Sequence, residues 1–148
     1  MSRSIVTYSE EETMSAGRKL AGDVQPGTVI TLTGGLGAGK TCFAKGFAWG
    51  LGLLPEQVDS PTFTLLQEYE TPSGLMLYHF DFYRVESAEE AVEIGTEEYF
   101  YGDGISLVEW PERIAPLIPD DAIRILMDLT GPNRRAISIE HPTGKTVT

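Results

Sequence analysis

Gly34-Gly35-Leu36-Gly37-Ala38-Gly39-Lys40-Thr41 is the stretch whose reading decides the fold. It fills every fixed position of G-x-x-x-x-G-K-[ST], a loop whose glycines let the backbone curl inward until several N–H groups face one phosphate. The motif needs a strand before it and a helix after it, and the sequence supplies both. Thr28-Val29-Ile30-Thr31-Leu32-Thr33 is a β-branched run that reads as a buried strand. Lys40 to Leu51 has helical spacing through Phe43, Phe47 and Leu51. The loop therefore runs into a helix N-terminus, whose dipole and unpaired N–H groups attract an anion. Gly35, Leu36, Gly37, Ala38 and Gly39 are expected to cradle phosphate, with Lys40 reaching the β- and γ-phosphates and the Thr41 hydroxyl on Mg2+.

Working outward, Ser9-Glu10-Glu11-Glu12 reads as a helix start, with Ser9 as N-cap and Glu12 as its capping-box partner. The helix runs through Leu20-Ala21 and stops at Gly22. Pro55 to Pro61 reads as loop, and Thr62 to Tyr69 and Leu75 to Phe80 as two strands joined at Thr71-Pro72-Ser73-Gly74. Ser87 to Ile94 reads as a short helix and Ile105 to Val108 as a second buried strand. Ala122 to Leu129 and Arg135 to Glu140 form a closing pair, turning at Gly131-Pro132-Asn133. The expected fold is α/β: a single P-loop NTPase-like domain over residues 1–148, with a central mixed β-sheet flanked by helices.

Composition bounds the function. Of 148 residues, 41% are apolar, enough for an ordinary globular core. One cysteine, Cys42, excludes an internal disulfide and a cysteine-rich zinc site, which fits a reducing setting. Twenty-two acids against 11 bases give a net charge of −11, which argues against tight direct binding of nucleic acid or an anionic membrane. No apolar run approaches the ~20 residues that span a bilayer, and the N-terminus lacks the apolar stretch of a secretory signal. The expectation is a soluble cytoplasmic protein.

A triphosphate site needs a carboxylate on its metal side, usually at the end of a buried strand. Glu109, after Ile105-Ser106-Leu107-Val108, and Asp81, after Leu75 to Phe80, both qualify. Mg2+ takes one or two carboxylates and keeps waters, so both can serve in different shells. Guanine readers carry N/T-K-x-D, yet none of the lysines at 19, 40, 45 and 145 is followed two positions later by Asp. ATP is the expected nucleotide. The arginines are scattered, with Arg134-Arg135 the sole doublet, in an expected turn rather than in the arginine-rich lid of a small-molecule kinase.

Four segments in order, the phosphate loop, Ser60-Pro61-Thr62-Phe63-Thr64, His79-Phe80-Asp81-Phe82-Tyr83-Arg84 and Leu107-Val108-Glu109-Trp110-Pro111-Glu112-Arg113, resemble the bacterial TsaE (YjeE) proteins. The resemblance runs from the first helix to about Arg113. It implies an ATPase that binds Mg-ATP, hydrolyses it weakly alone and supports the TsaB–TsaD pair. That pair forms threonylcarbamoyladenosine at position 37 of tRNAs reading codons that start with A, and TsaD performs the transfer. An acidic ATPase of this kind meets tRNA only indirectly. Two positions depart from the family pattern: Gly35 stands where Asp is usual, and Cys42 where a second Thr is frequent.

The resemblance also distributes roles. Lys40, Asp81 and Glu109 would be catalytic, with Thr41 and Glu109 on the metal and Asp81 orienting or activating water or touching the metal through one. Cys42 and Ser9 would join the ATP contacts, Ser9 and its neighbours near the adenine, although capping alone explains Ser9. Thr62 and Thr64 would sense the γ-phosphate, or simply belong to a turn. Cys42 at a helix start can have a lowered thiol pKa, or be a small buried helix residue. His79 is either catalytic or satisfied by a local hydrogen bond, and Trp110 packs over nucleotide, partner or core. Glu86, Glu90, Glu93 and Glu97 are spaced to share a helical face, either solvated or docking a basic partner. Outside the ATPase reading stand a nucleotide-dependent assembly module with negligible turnover and a small-molecule kinase.

Overall fold

The computed structural model describes residues 2–35, 37–61 and 64–142. Its elements run β1 (Ser2–Thr7), α1 (Glu10–Ala21), β2 (Val29–Thr33), α2 (Lys40–Gly50), β3 (Leu66–Glu70), β4 (Met76–Asp81), α3 (Ala88–Glu93), α4 (Thr96–Phe100), β5 (Ile105–Glu109), β6 (Ile123–Leu129) and β7 (Arg135–Glu140). A 3-10 turn lies at Pro55–Gln57, and Pro111–Leu117 is 3-10 helix broken by a kink at Ile114. The strands form one seven-stranded sheet in the order β1-β7-β6-β2-β5-β4-β3. β6, β2, β5 and β4 run parallel, while β3 and the β7–β1 pair are antiparallel additions at the two sides. The fold is thus α/β with a mixed sheet flanked by helices.

Parallel strands are covered on both faces and read as unbroken apolar runs. β5 is buried at every position, and β2 at all but its last. Alternation sends Ile30, Leu32, Leu77 and Leu107 to one face, where Leu20 of α1 and Phe43 and Phe47 of α2 cover them. Val29, Phe80 and Val108 face the other way, onto Phe82, Val85, Phe100 and Ile114. α1 and α2 cross at glycines. A Cβ on Gly46 would stand 1.9 Å from the Met14 carbonyl oxygen, and one on Gly17 2.2 Å from that of Phe43. This close crossing brings the start of α1 beside the start of α2.

Several local expectations change. Ser2–Thr7, not anticipated as a strand, is held by β7, pairing Val6 with Ala136 and Thr7 with Arg135. Ser9 does cap α1, accepting the Glu12 N–H at 3.1 Å, but the Glu12 carboxylate accepts from Tyr8 N–H at 2.9 Å, one residue before the cap. The glutamate run does not form one helical face. Gly95, at φ +81°, ends α3 and opens α4, so Glu86 precedes the first helix and Glu97 belongs to the second. β3 begins at Leu66 after a turn at Thr64-Leu65; Thr62, where a strand was expected to start, lies outside the described residues. No helix among the described residues is long and apolar enough to cross a membrane.

Candidate functional site

The C-terminal ends of β2, β5 and β4 meet at one edge of the sheet, where open α/β sheets place their ligands. In register, Leu32 of β2 stands beside Glu109 of β5, and Glu109 beside Asp81 of β4. The chain leaving β2 becomes the glycine loop and then α2. These pieces wall a cleft of about 550 Å³.

On the loop side the cleft is lined by Gly37, Gly39, Lys40 and Thr41. Gly39 takes φ +96°, a left-handed geometry natural to glycine, and its carbonyl accepts the first α2 bond from Phe43 N–H at 2.9 Å. Gly34 passes so near β6 that a Cβ would stand 2.6 Å from the Met127 carbonyl oxygen. No side chain caps α2, and its first turn holds no acid, whereas α1 starts with three glutamates. The positive end of the α2 dipole is left for an anion. Ala38 is buried beneath the loop, donating to the Gly35 carbonyl at 3.2 Å. Gly35 is exposed and a Cβ there meets nothing, so the Asp usual at this position would fit. Leu36 lies outside the described residues.

Lys40 is 7% exposed, and its Nζ has no hydrogen-bond partner among the described residues. A buried ammonium is costly unless compensated. Here Nζ sits 4.2 Å from the centre of the Trp110 ring, which offers its negative face. Trp110 adopts φ +58° immediately after β5 and packs on Tyr83 at 4.8 Å between ring centres.

The two carboxylates are buried and anchored. The Tyr83 N–H donates to Asp81 Oδ1 at 2.9 Å. Nε2 of His79 lies 2.7 Å from Glu109 Oε2, and with the carboxylate ionised that nitrogen carries the donated hydrogen. The local-hydrogen-bond reading of His79 thus takes a specific form, with Glu109 as the partner. Thr41, Asp81 and Glu109 all line the cleft and offer hard oxygen donors, the type Mg2+ selects. No group of three or more His, Cys, Asp or Glu side chains among the described residues makes a complete metal cage.

Cys42 lines the cleft, and of its two readings the lowered thiol pKa is the one that fails. Burial, followed by the nearby Glu10 carboxylate, pushes the thiol up from its ordinary 9.0. Its Sγ donates to the Glu10 carbonyl at 3.0 Å. α1 reaches the cleft through Glu10 and Met14; Ser9 caps the helix and is not part of the lining. Of the Ser60–Thr64 segment, Ser60 lines the cleft while Thr64 receives the Gln67 amide at 3.1 Å outside it. Thr62 lies outside the described residues.

Sequence reasoning missed Arg135, Lys45, Met14 and Tyr83 as cleft residues. Arg135 opens β7 rather than sitting in the turn, and its buried Nε has no partner among the described residues. It passes so close to the loop that a Cβ on Gly39 would stand 3.2 Å from Nε. Its doublet gave no signal, since only the pairing of β7 with β6 carries it there.

The sequence model of the threonylcarbamoyl adenosine biosynthesis protein TsaE matches residues 7–137. The chain belongs to the TsaE family. The tRNA threonylcarbamoyladenosine biosynthesis protein TsaE of Bacillus subtilis is 44% identical over 132 residues, covering 89% of this chain and 81% of that protein. The Treponema pallidum protein of the same name is 40% identical, over 90% of this chain and 97% of its own. The crystal structure of Bacillus subtilis YdiB superposes with a TM-score of 0.79 at 36% identity, covering 96% of this chain and 86% of that one. The TsaE match runs beyond Arg113, where the resemblance read from the sequence stops, so β6 and Arg135 at the start of β7 lie within it.

Proposed function

We propose that the protein is an ATPase of threonylcarbamoyladenosine formation on tRNA. It binds Mg-ATP in the cleft, hydrolyses it slowly alone, and supports repeated cycles of modification at adenosine 37 by TsaB and TsaD in the cytoplasm. The observation that carries this reading is the buried Nζ of Lys40, without a hydrogen-bond partner among the described residues, at the uncapped, acid-free start of α2 and across a cleft from two buried carboxylates. In a chain of net charge −11, a cation held without a carboxylate partner among the described residues, at a helix start that no side chain caps, suits a polyanion that arrives from outside.

Phosphoryl transfer asks a protein mainly for positioning and charge stabilisation. The loop amides and Lys40 hold the β- and γ-phosphates, and Thr41 and Glu109 hold the metal. Mg2+, when bound, neutralises charge on the β- and γ-oxygens. Asp81, held by Tyr83 N–H, orients the attacking water and takes its proton as the bond from the γ-phosphorus to ADP breaks. The threonylcarbamoyl group itself is moved by TsaD, so the acidic surface needs no grip on tRNA.

Calorimetry with ATP and Mg2+ tests the site. Heat of binding from the parent and none from Lys40→Ala, at unchanged melting temperature, is the expected result. Absence of heat from the parent overturns it. A reconstituted modification assay over many turnovers, with and without this chain, tests the accessory role.

A further inference from the structure

We propose that His79 is the positioning residue of Glu109: a buried imidazole that pins one carboxylate oxygen so that the other is presented to the metal side of the cleft. The inference rests on the nucleotide-site reading above and adds a residue to it.

Geometry comes first. Side chains two apart on a strand share a face, so β4 directs Leu77, His79 and Asp81 the same way. Its register with β5 sets His79 beside Leu107 and Asp81 beside Glu109. Glu109 is therefore the diagonal neighbour of His79, and Nε2 meets Oε2 at 2.7 Å, the short separation of a charge-assisted bond. The ring is 1% exposed and the carboxylate residue 4%. Tyr83, two residues beyond Asp81, supplies the N–H that holds Asp81. One strand and its exit thus anchor both acids, each by a neighbour two positions from Asp81.

Chemistry then separates a positioning histidine from a structural one. A histidine kept to satisfy the core uses both nitrogens, because buried polar atoms are nearly always bonded. His79 Nδ1 is buried and has no partner among the described residues. An apolar side chain at this buried position would leave no such orphan. What the imidazole alone supplies is the bond to Glu109. Oε1 receives no hydrogen bond from the described residues, so the carboxylate is fixed at one oxygen and available at the other. Carboxylates that ligate metals are themselves commonly held in this way, and loss of the holding group weakens metal binding about 10–100-fold.

The test uses His79→Leu, which removes the donor, His79→Asn, whose amide is too short to reach Oε2, and His79→Gln, whose amide nitrogen replaces Nε2. Mn2+ is titrated into each ATP-loaded protein and followed by electron paramagnetic resonance, and ATP affinity is measured separately in EDTA. Leu and Asn are expected to weaken Mn2+ binding about 10–100-fold, Gln to restore most of it, and ATP affinity in EDTA to stay at the parent value. Parent-like Mn2+ binding by Leu or Asn overturns the proposal. So does a Gln variant as impaired as Asn, a contrast that decides the matter even where Leu prevents folding. Equal loss of ATP affinity in EDTA would make the role purely structural and likewise overturns it. A parent that takes up no ATP in either buffer defeats the nucleotide site itself, a result distinct from any difference among the variants.

Discussion

Lys40 and Trp110 form a cation–π pair, with Nζ 4.2 Å from the ring centre and no hydrogen bond to Nζ from any described residue. Such a contact is worth about 0.5–2 kcal/mol, less than charge-assisted bonds to a triphosphate would return. Nucleotide should therefore draw the ammonium off the indole and change Trp110 emission. The other tryptophan, Trp49, lies under Arg18 toward the C-terminal ends of α2 and α1, so Trp49→Phe isolates the signal. Mg-ATP should shift the fluorescence of Trp49→Phe in a saturable way. An emission unmoved by saturating ATP would show that Lys40 stays on the ring.

Asp81 and Glu109 end adjacent parallel strands in register; Asp81 accepts the Tyr83 N–H, and Glu109 pairs with His79 Nε2. Their neutral isosteres keep the shape and remove the charge. Asp81→Asn should lower steady-state phosphate release about 100-fold or more, the scale of a lost general base, while ATP binding persists. Glu109→Gln should raise the Mg2+ concentration needed for half-maximal release. Phosphate release by Asp81→Asn at the parent rate would remove Asp81 from the chemistry.

The parts of this site legible in the sequence are those fixed by local chemistry. The glycine loop, the strand before it and the helix after it need only neighbours in the chain, and Glu109 and Asp81 declare themselves as acids ending apolar runs. What stayed hidden depends on the sheet. Ser2–Thr7 is polar and mostly exposed, so its strand character comes from pairing with β7 and not from its own pattern. Arg135 enters the cleft only because β7 folds back along β6. The His79 partner lies 30 residues away and follows from register, which a single sequence does not reveal. Gly95 breaks the glutamate run at φ +81°, whereas the glutamate spacing on either side is the same as in one continuous helix.

The α1–α2 crossing sets the position of Glu10 and Met14 in the cleft, and it depends on missing side chains. Gly46→Ala places a methyl 1.9 Å from the Met14 carbonyl oxygen, a backbone atom that gives way only by separating the helices. Overpacking of this kind costs about 1–3 kcal/mol. Gly35→Ala meets nothing and should stay within about 0.5 kcal/mol of the parent. Urea unfolding of the two variants measures the contrast. Equal midpoints for both would mean that the crossing is looser than its glycines imply.

Cys42 gives a pH signature with a definite sign. Burial and, next, the Glu10 carboxylate disfavour the thiolate, so the folded-state pKa lies above 9.0. Only the thiolate attacks iodoacetamide, so alkylation of the native protein at pH 7–8 should be slower than that of a free thiol and should climb as pH passes 9. Glu10→Gln removes the second cause and should speed the reaction at fixed pH. The linkage to folding runs the same way: the unfolded chain loses this proton first, so the stability it contributes is complete below about pH 9 and is lost above it. Because Cys42 lines the cleft, Mg-ATP should protect it at every pH. Rapid alkylation at pH 7, unaffected by ATP, would place the thiol in a different environment from the one described.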